Sequence, residues 1–103
     1  MSEQTYIRSI RSLYLQLPNT HRRFSRSDRS LAADLFRQGI PITVVSNALL
    51  LATARRICRD PTAPALPPVR SLYYFIPAIH EVLSQPLPTS YQEYLKRKIA
   101  DHT

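Results

Sequence analysis

Glycine is almost absent from this chain, since Gly39 is the only one among 103 residues. Tight β-hairpins depend on glycine or asparagine at turn positions with positive φ, so the sequence argues against an architecture rich in hairpins. A single glycine also excludes the glycine-rich loop that cradles phosphates in many nucleotide-binding enzymes. The nine prolines fall mainly where helical patterns end, which favours helices joined by short connections.

Long hydrophobic runs are missing as well. A membrane-spanning helix needs about 18–20 apolar residues in succession. The longest run here extends from Ala48 to Ala54 and is followed by two arginines. The first four residues do not show the basic and then apolar layout of a signal peptide. We therefore expect a cytoplasmic protein that makes no membrane contact.

Cysteine and histidine are scarce, which limits the chemistry open to the chain. Cys58 is the only cysteine and lies in an apolar helical stretch, which predicts a small buried side chain rather than a reactive thiol. The three histidines show no metal-ligand spacing with Cys58 or with one another: His21, His80 and His102. We predict no catalytic residue, metal site, cofactor or small-molecule substrate. An active site assembled from residues distant in sequence is the alternative.

Hydrophobic residues make up 44% of the chain, enough for a folded core, and most of them recur at helical spacing. The pattern predicts a single helical domain over residues 1–103, folded as an all-α compact bundle of four to five helices. Helices are expected over about 3–17, 25–38, 41–59 and 71–83, and from 90 to a frayed end, with a proline-rich connector at about 60–69.

Individual residues mark the expected helix boundaries. Ser25, with Asp28 three residues later, resembles a capping box at the start of the second helix. Gly39 suits the left-handed position that follows a helix, and Pro41 suits the first turn of the next one. Pro77 falls inside the fourth helical pattern, so it should kink that helix or divide it into a short turn and a helix.

Aromatic and aliphatic side chains of the last third are expected in the core. Phe75, Ile79 and Leu83 share one face of the fourth helix. Of the adjacent Tyr73 and Tyr74, one is expected to keep an exposed hydroxyl, with a stacking platform as the alternative. The last helix should direct four side chains inward: Tyr91, Tyr94, Leu95 and Ile99.

Positive charge is in excess and unevenly placed. Lysine and arginine number 14 against 7 acids, a formal net charge of +7, and twelve of the cations are arginine. Residues 1–40 carry +4, residues 41–70 carry +3, and residues 71–103 are balanced. Arginine binds phosphate through two parallel hydrogen bonds, so the excess favours a nucleic-acid partner. An acidic protein partner and a biased genome composition are the alternatives.

The densest basic stretch is the best candidate binding site. Four arginines lie within eight residues beside an aromatic ring, which suits contact with a phosphate backbone and stacking on a base. These residues are Arg22, Arg23, Phe24, Arg26 and Arg29. Three more arginines extend the patch if the third helix ends nearby: Arg55, Arg56 and Arg59. A solvated basic loop is the alternative.

Residues 31–56 have the outline of a helix-turn-helix. A turn at Gly39 separates two helical patterns, and Val45 supplies the apolar residue expected about six positions later. In this arrangement the second helix exposes Asn47, whose amide can read adenine in a major groove. Two core helices joined by a tight turn are the alternative, and a short strand over residues 40–44 is another.

Three segments carry a family resemblance: GIPITVV at residues 39–45, ALLLATARR at 48–56 and, after the connector, RSLYYFIPAI at 70–79. Over residues 30–84 they are similar to the final helical module of the DnaD-like primosomal replication proteins and to modules of mobile-element proteins. That module carries an aromatic residue, an isoleucine and a tryptophan at four-residue intervals. Here the spacing is kept by Phe75, Ile79 and Leu83, with leucine in place of the tryptophan. The resemblance implies binding of single-stranded or duplex DNA in primosome or mobile-element replication.

Together these features predict a non-enzymatic nucleic-acid-binding module, or an accessory subunit of a DNA-processing complex in replication or in a mobile element. A helical module for protein–protein interaction or oligomerisation is the alternative, with the arginines facing solvent or an acidic protein. The nucleic-acid hypothesis requires the cations before residue 71 to gather on a common face.

Overall fold

The computed structural model describes residues 1–59 and 62–101 of the chain. Within these residues it contains five α-helices and one turn of 3-10 helix, with no β-strand, so the prediction of an all-α bundle is confirmed. The helices are α1 (Glu3–Gln16), α2 (Arg26–Arg37), α3 (Ile42–Ile57), α4 (Ile76–Ser84) and α5 (Thr89–Asp101), and the 3-10 turn (Leu72–Phe75) leads into α4. None of the helices in these two ranges combines the length and hydrophobicity that crossing a bilayer requires.

The first two helices form an antiparallel pair. The start of α1 meets the end of α2, where the ring centroids of Tyr6 and Phe36 are 5.3 Å apart in an edge-to-face contact. The end of α1 meets the segment before α2, where the ring centroids of Tyr14 and Phe24 are 5.9 Å apart. The inner face of α1 is apolar, with Ile10 fully buried, and removing this surface from water stabilises the pair.

The third helix is the central one, because its apolar residues cover most of its circumference. Along it Val45, Ala48 and Leu49 are almost fully buried, and it packs against α1, α4 and α5. The helix therefore joins α1, which it contacts on one side, to α4 and α5, each of which packs on it separately. Residues 40–44 form no strand, since α3 begins at Ile42.

The predicted boundary signals are found where the sequence placed them. Ser25 and Asp28 form both hydrogen bonds of a capping box at the start of α2. Gly39 follows α2 with a φ of 75°, in the left-handed region that glycine adopts at no steric cost. Pro77 divides the fourth helical pattern into a short turn and a helix, one of the two predicted outcomes, because the 3-10 turn ends at Phe75 and the proline lies in the first turn of α4.

Three side chains predicted to be in the core lie at the surface. Leu83 is 42% exposed, because the buried face of α4 passes through the neighbouring Val82. Tyr91 and Tyr94 are 39% and 48% exposed. Their helix α5 packs mainly against α3, so its buried stripe is narrow and centres on Leu95.

Two further positions of the last third correct or refine the predictions. Cys58 is exposed rather than buried, because it caps the C-terminus of α3, where the helix has no further turn to cover it. Tyr73 and Tyr74 are both exposed, whereas the following Phe75 is fully buried. The aromatic run therefore contributes one ring to the core.

The end of the proline-rich connector is tied to the loop between α1 and α2. Thr20 and Val69 form an isolated parallel β-bridge. The amide of His21 donates to the carbonyl of Val69 at 3.0 Å, and the amide of Val69 donates to the carbonyl of Asn19 at 2.6 Å. These bonds hold the loop beside the start of the 3-10 turn.

Candidate nucleic-acid interface

A surface groove along the α1–α2 pair is lined by arginines. Arg8 and Arg11 of α1 lie one helical turn apart, and Arg29 of α2 lines the same groove from the other helix. Gln4 and the partly covered edge of Ile7 complete the lining, and the volume of the groove is about 450 Å³. We call the surface formed by Arg8, Arg11, Arg26 and Arg29 the arginine seam.

The periodicity of the two helices explains why these cations share one surface. On α1 the buried positions are Tyr6, Ile7, Ile10 and Tyr14, so Arg8 and Arg11 take the adjacent solvent-facing positions. On α2, residues three apart are neighbours on the helix surface. Arg26 therefore lies one turn from Arg29 and extends the seam toward the start of α2.

No carboxylate neutralises the arginine seam within the part of the chain that the structure describes. The two solvent-accessible acids of the α1–α2 pair, Glu3 and Asp34, lie at its other end and share one partner. Glu3 Oε1 is 3.4 Å from Arg37 Nε, and Asp34 Oδ1 is 3.4 Å from Arg37 Nη1. The charge of Arg37 is thus compensated, and that of the seam is not.

The third acid of this region, Asp28, is fully buried and used as a helix cap. Its Oδ2 accepts the amide of Ser25 at 2.9 Å. Its Oδ1 accepts the amide of Leu72 at 2.9 Å and the hydroxyl of Ser71 at 3.2 Å. Because the carboxylate faces inward and binds donors of the chain itself, it provides no surface charge beside Arg26 and Arg29.

Two buried tyrosines support the inner face of α1. The hydroxyl of Tyr6 donates to the carbonyl of Ile40 at 2.7 Å, and burial raises the pKa of Tyr6 to about 12. The hydroxyl of Tyr14 is buried without a hydrogen-bond partner among the described residues. Burial, with a smaller contribution from the negative charge of Asp28, raises the pKa of Tyr14 to about 12 as well. Both rings are therefore structural and neutral at physiological pH.

The loop before α2 adds two predicted cations at the end of the arginine seam. Arg22 and Arg23 are exposed, and Arg22 adopts a φ of 60°, in the left-handed region. The bridge between Thr20 and Val69 fixes the loop just before them. The predicted cluster of four arginines is thus solvent-exposed throughout, and its last members, Arg26 and Arg29, belong to the seam.

Phe24 differs from its arginine neighbours because its ring is half-buried. The ring lies edge to face against Tyr14 and packs on the hydrophobic core. The core holds part of the ring and leaves part of it accessible, so stacking of Phe24 on a base stays a prediction. The buried part of the ring anchors the loop that presents Arg22 and Arg23.

The three arginines at the end of α3 are occupied by the chain itself. Arg55 donates to both carboxylate oxygens of Glu81 at 2.7 and 2.8 Å. This pairing raises the pKa of Arg55 and lowers the pKa of Glu81. Arg56 donates to the carbonyl of Pro67, and Arg59 donates to the carbonyl of Pro64 at 3.0 Å. The predicted extension of the basic patch is therefore made of side chains that fasten other parts of the fold.

Asn47 is buried, which contradicts its predicted exposure on a recognition helix. Only 6% of its surface is exposed, because α3 is covered by α1, α4 and α5 around most of its circumference. The pair α2–α3 therefore corresponds to two core helices joined by a tight turn, the alternative that the sequence left open.

Arg8 and Arg11 are the functional candidates that the sequence prediction missed. They were expected on a polar face of the first helix, but nothing in the local sequence connects them to Arg29, 18 residues beyond Arg11. A signal was present in the helical spacing of Arg8 and Arg11 and of Arg26 and Arg29. Antiparallel pairing of the two predicted helices brings those two pairs to one seam.

No group of three or more histidine, cysteine, aspartate or glutamate side chains in residues 1–59 and 62–101 lies close enough to hold a metal ion.

Comparison of the chain with protein-family models, with curated proteins and with solved structures finds no match. The resemblance of residues 30–84 to the DnaD-like module therefore stays a prediction.

Proposed function

We propose that this protein binds the phosphate backbone of a nucleic acid through the arginine seam. The observation that carries the proposal is the groove in which Arg8, Arg11 and Arg29 converge without a carboxylate partner in the described residues. Concentrated and uncompensated positive charge attracts a polyanion and releases its counterions.

The placement of the arginines along two paired helices favours a polymer of phosphates over a single anion. Residues three apart on a helix are separated by about 4.5 Å along its axis, and neighbouring helix axes by about 8–10 Å. The seam therefore spreads its charges over a distance comparable with consecutive phosphates of one strand. Arg22 and Arg23 in the adjoining loop lengthen this track.

The proposal places the protein as a non-enzymatic DNA-binding module, or as an accessory subunit of a DNA-processing complex in replication or in a mobile element. DNA is preferred to RNA on the strength of the family resemblance alone. Backbone contacts fix position and affinity but carry no sequence information. We therefore expect similar affinity for DNA molecules of different sequence.

The test is fluorescence anisotropy with a labelled DNA single strand and the corresponding duplex, at salt concentrations between about 50 and about 200 mM. For four to five phosphate contacts we expect a slope of log affinity against log salt of about −3 to −4.5, steeper for the duplex than for the single strand. The double variant Arg11→Ala, Arg29→Ala should reduce this slope by about two units and weaken binding at low salt by at least about tenfold.

The matched control is a double variant that removes the same charge elsewhere: Arg37→Ala with Arg97→Ala. Arg37 is paired with Glu3 and Asp34, and Arg97 is exposed on α5. Equal losses in the two double variants would show that only net charge matters. Absence of binding at low salt by the unaltered protein would overturn the proposal.

A further inference from the structure

Phe24 lies at the end of the arginine seam and keeps part of its ring accessible. It precedes Arg26 by two residues, and its ring contacts Tyr14, which lies one helical turn beyond Arg11 on α1. The inner part of the ring packs on the hydrophobic core. Proteins that bind single-stranded nucleic acid combine cations with accessible aromatic rings, because every unpaired base has a face that can stack.

The fold holds Phe24 in place from both sides. Before it in the chain, the bridge between Thr20 and Val69 fixes the loop. After it, Ser25 begins the capping box of α2. The ring itself lies edge to face on Tyr14, with an angle of 61° between the ring planes. A ring that is fixed in advance loses little conformational entropy when a base stacks on it.

The shape of the arginine seam favours one strand over two. Its arginines come from two adjacent helices, and three of them line the groove between those helices. Packed helix axes are about 8–10 Å apart and each helix is about 10–12 Å across, so the pair is about 20 Å wide. The major groove of B-DNA is about 12 Å wide and admits one helix. A duplex would therefore meet the seam only with phosphates at its outer surface.

The helix that a helix-turn-helix would place in the major groove is covered by the fold. Asn47 of α3 is 6% exposed, because α1, α4 and α5 pack around this helix. Phe24 therefore takes the place of a recognition helix as the contact for a base beside the arginine seam. In a duplex the neighbouring bases cover both faces of each base, so Phe24 can stack only on a base that is unpaired and unstacked.

We propose that the arginine seam takes single-stranded DNA in preference to duplex, with one unpaired base stacked on Phe24 and the adjoining phosphates held by Arg23 and Arg26. Both arginines are exposed and flank the ring in the chain. This inference rests on the proposed function of the seam. Charge alone favours the duplex, because a phosphate contact releases more counterion from a duplex than from a single strand. A preference for the single strand therefore reports contacts with bases.

The experiment compares three labelled DNA molecules of equal length by fluorescence anisotropy: a single strand, the corresponding duplex, and a strand that carries abasic sites in place of its bases. At about 200 mM salt we expect the protein to bind the single strand more tightly than the duplex, with the preference narrowing toward about 50 mM as the charge contribution grows. The abasic strand keeps the phosphates and loses the stacking, so it should bind about fivefold more weakly than the intact strand.

A tryptophan at position 24 reports stacking directly. The chain has no tryptophan, so Phe24→Trp introduces a single one. Its fluorescence should be quenched by the intact single strand and change little with the abasic strand. The matched control is Phe36→Trp, since Phe36 is also partly buried and edge to face with a tyrosine of α1. It lies at the opposite end of the helix pair, beside the compensated Arg37, and should report no quenching.

Removal of the ring gives the corresponding loss of affinity. Phe24→Leu keeps an apolar side chain on the core and should weaken binding of the single strand by about fivefold, while duplex binding changes less than about twofold. Phe36→Leu makes the same exchange at the other end of the pair and should leave both affinities unchanged. Circular dichroism checks that the variants keep their helical content, and the abasic strand tests the unaltered chain without any substitution.

The preference for a single strand is refuted by a duplex that binds as tightly as the single strand at about 200 mM salt. It is also refuted by an abasic strand that binds as tightly as the intact one, or by equal fluorescence changes in Phe24→Trp and Phe36→Trp. With these results the seam would remain a site for phosphate backbones of either form. Absence of binding to all three DNA molecules at low salt would remove the proposed function as well.

Discussion

The arginines of the α1–α2 pair and those at the end of α3 look alike in sequence and differ in what surrounds them. Arg8, Arg11 and Arg29 line an open groove and meet no carboxylate in the described residues. Arg55 is held by Glu81, while Arg56 binds a carbonyl of the proline-rich connector. One group is available to a partner, and the other is used by the fold.

The difference comes from the acceptors that the fold brings near each group. Residues 64–67 of the connector lie beside the end of α3 and present carbonyls to Arg56 and Arg59, because the prolines leave this backbone without helical hydrogen bonds. Beside the arginine seam the helices have used their own carbonyls, and the nearest acid, Asp28, is buried as a cap. The density of arginine in a sequence therefore does not by itself locate a binding surface.

The substitution with the largest expected effect on stability is Asp28→Ala. It removes the acceptor of three hydrogen bonds and leaves the buried amide of Leu72 without its bond to the carboxylate. We expect the free energy of unfolding to fall by about 2–4 kcal/mol, from the lost cap and the unsatisfied donor. Urea denaturation followed by circular dichroism measures it.

The control for Asp28→Ala is Asp34→Ala, which removes the exposed acid of the same helix and should change stability much less. The salt slope of DNA binding should be the same for folded Asp28→Ala as for the unaltered chain, because the lost carboxylate does not reach the surface. A markedly steeper slope in that variant would mean that Asp28 does compensate the arginine seam.

The second substitution tests whether an arginine at the end of α3 stabilises the fold. Arg56→Ala removes the hydrogen bond to Pro67 and the contact with the ring of Tyr74. We expect a loss of about 1–3 kcal/mol in the free energy of unfolding and faster proteolysis of residues 62–68. DNA affinity should change less than about twofold, against the much larger loss in Arg11→Ala, Arg29→Ala. The prediction is wrong if Arg56→Ala weakens DNA binding as strongly as the seam variant.

Two buried tyrosines of α1 differ in whether the hydroxyl has a hydrogen-bond partner among the described residues. Tyr6→Phe leaves the carbonyl of Ile40 without its donor and should cost about 1–2 kcal/mol of stability. Tyr14→Phe removes a buried hydroxyl that has no partner in the described residues, so it should leave stability unchanged or raise it by up to about 1 kcal/mol. Thermal and urea unfolding of the two variants decide the order, and equal losses would contradict it.

The same tyrosines predict how stability depends on alkaline pH. Each has a pKa of about 12 in the folded chain, above the ordinary value of 10.0. Their contribution to stability is therefore complete below pH 10 and is lost as pH rises toward 12, because the unfolded chain releases the protons first. Tyr14→Phe should make the fall between pH 10 and 12 shallower, as measured by urea unfolding at a series of pH values.

The smallest expected effect on DNA binding comes from removing the carboxylate partner of Arg55, one of the arginines at the end of α3. Glu81→Gln removes the negative charge that holds Arg55, and should steepen the salt dependence of DNA binding by at most about one unit. Lowering the pH should also steepen the salt dependence of DNA binding, because protonated Glu81 no longer pairs with Arg55. Since Arg55 lowers the pKa of Glu81, this pairing is lost only as the pH falls through that lowered value. Glu93→Gln is the control, because Lys96 is held loosely and gains little freedom.

The helices and their ends could be predicted from sequence because the signals for them are local. Ser25 with Asp28, Gly39 and Pro77 each act within one turn of the chain, and each lies where it was expected. Burial was less predictable, since it depends on which neighbour covers a face. Tyr94 has helical spacing suited to a core position, yet α5 meets too little of the bundle to bury it.

The candidate site was predicted only in part for the same reason. Arg26 and Arg29 could be found as members of a dense basic stretch, but Arg8 and Arg11 join them only through the antiparallel pairing of two helices. Asn47 shows the opposite error, because its polar side chain suggested exposure where the central position of α3 buries it. Contacts between distant segments decide which polar side chains a partner can reach.

The carboxylate of Asp28 has a consequence for how the molecule opens. It caps the N-termini of two helical segments at once: α2, and the 3-10 turn that begins 44 positions further along the chain. The α1–α2 pair therefore cannot separate from the segment leading into α4 without exposing the ends of both. We expect the two halves of the chain to exchange their amide hydrogens at a common rate, as a single cooperative unit.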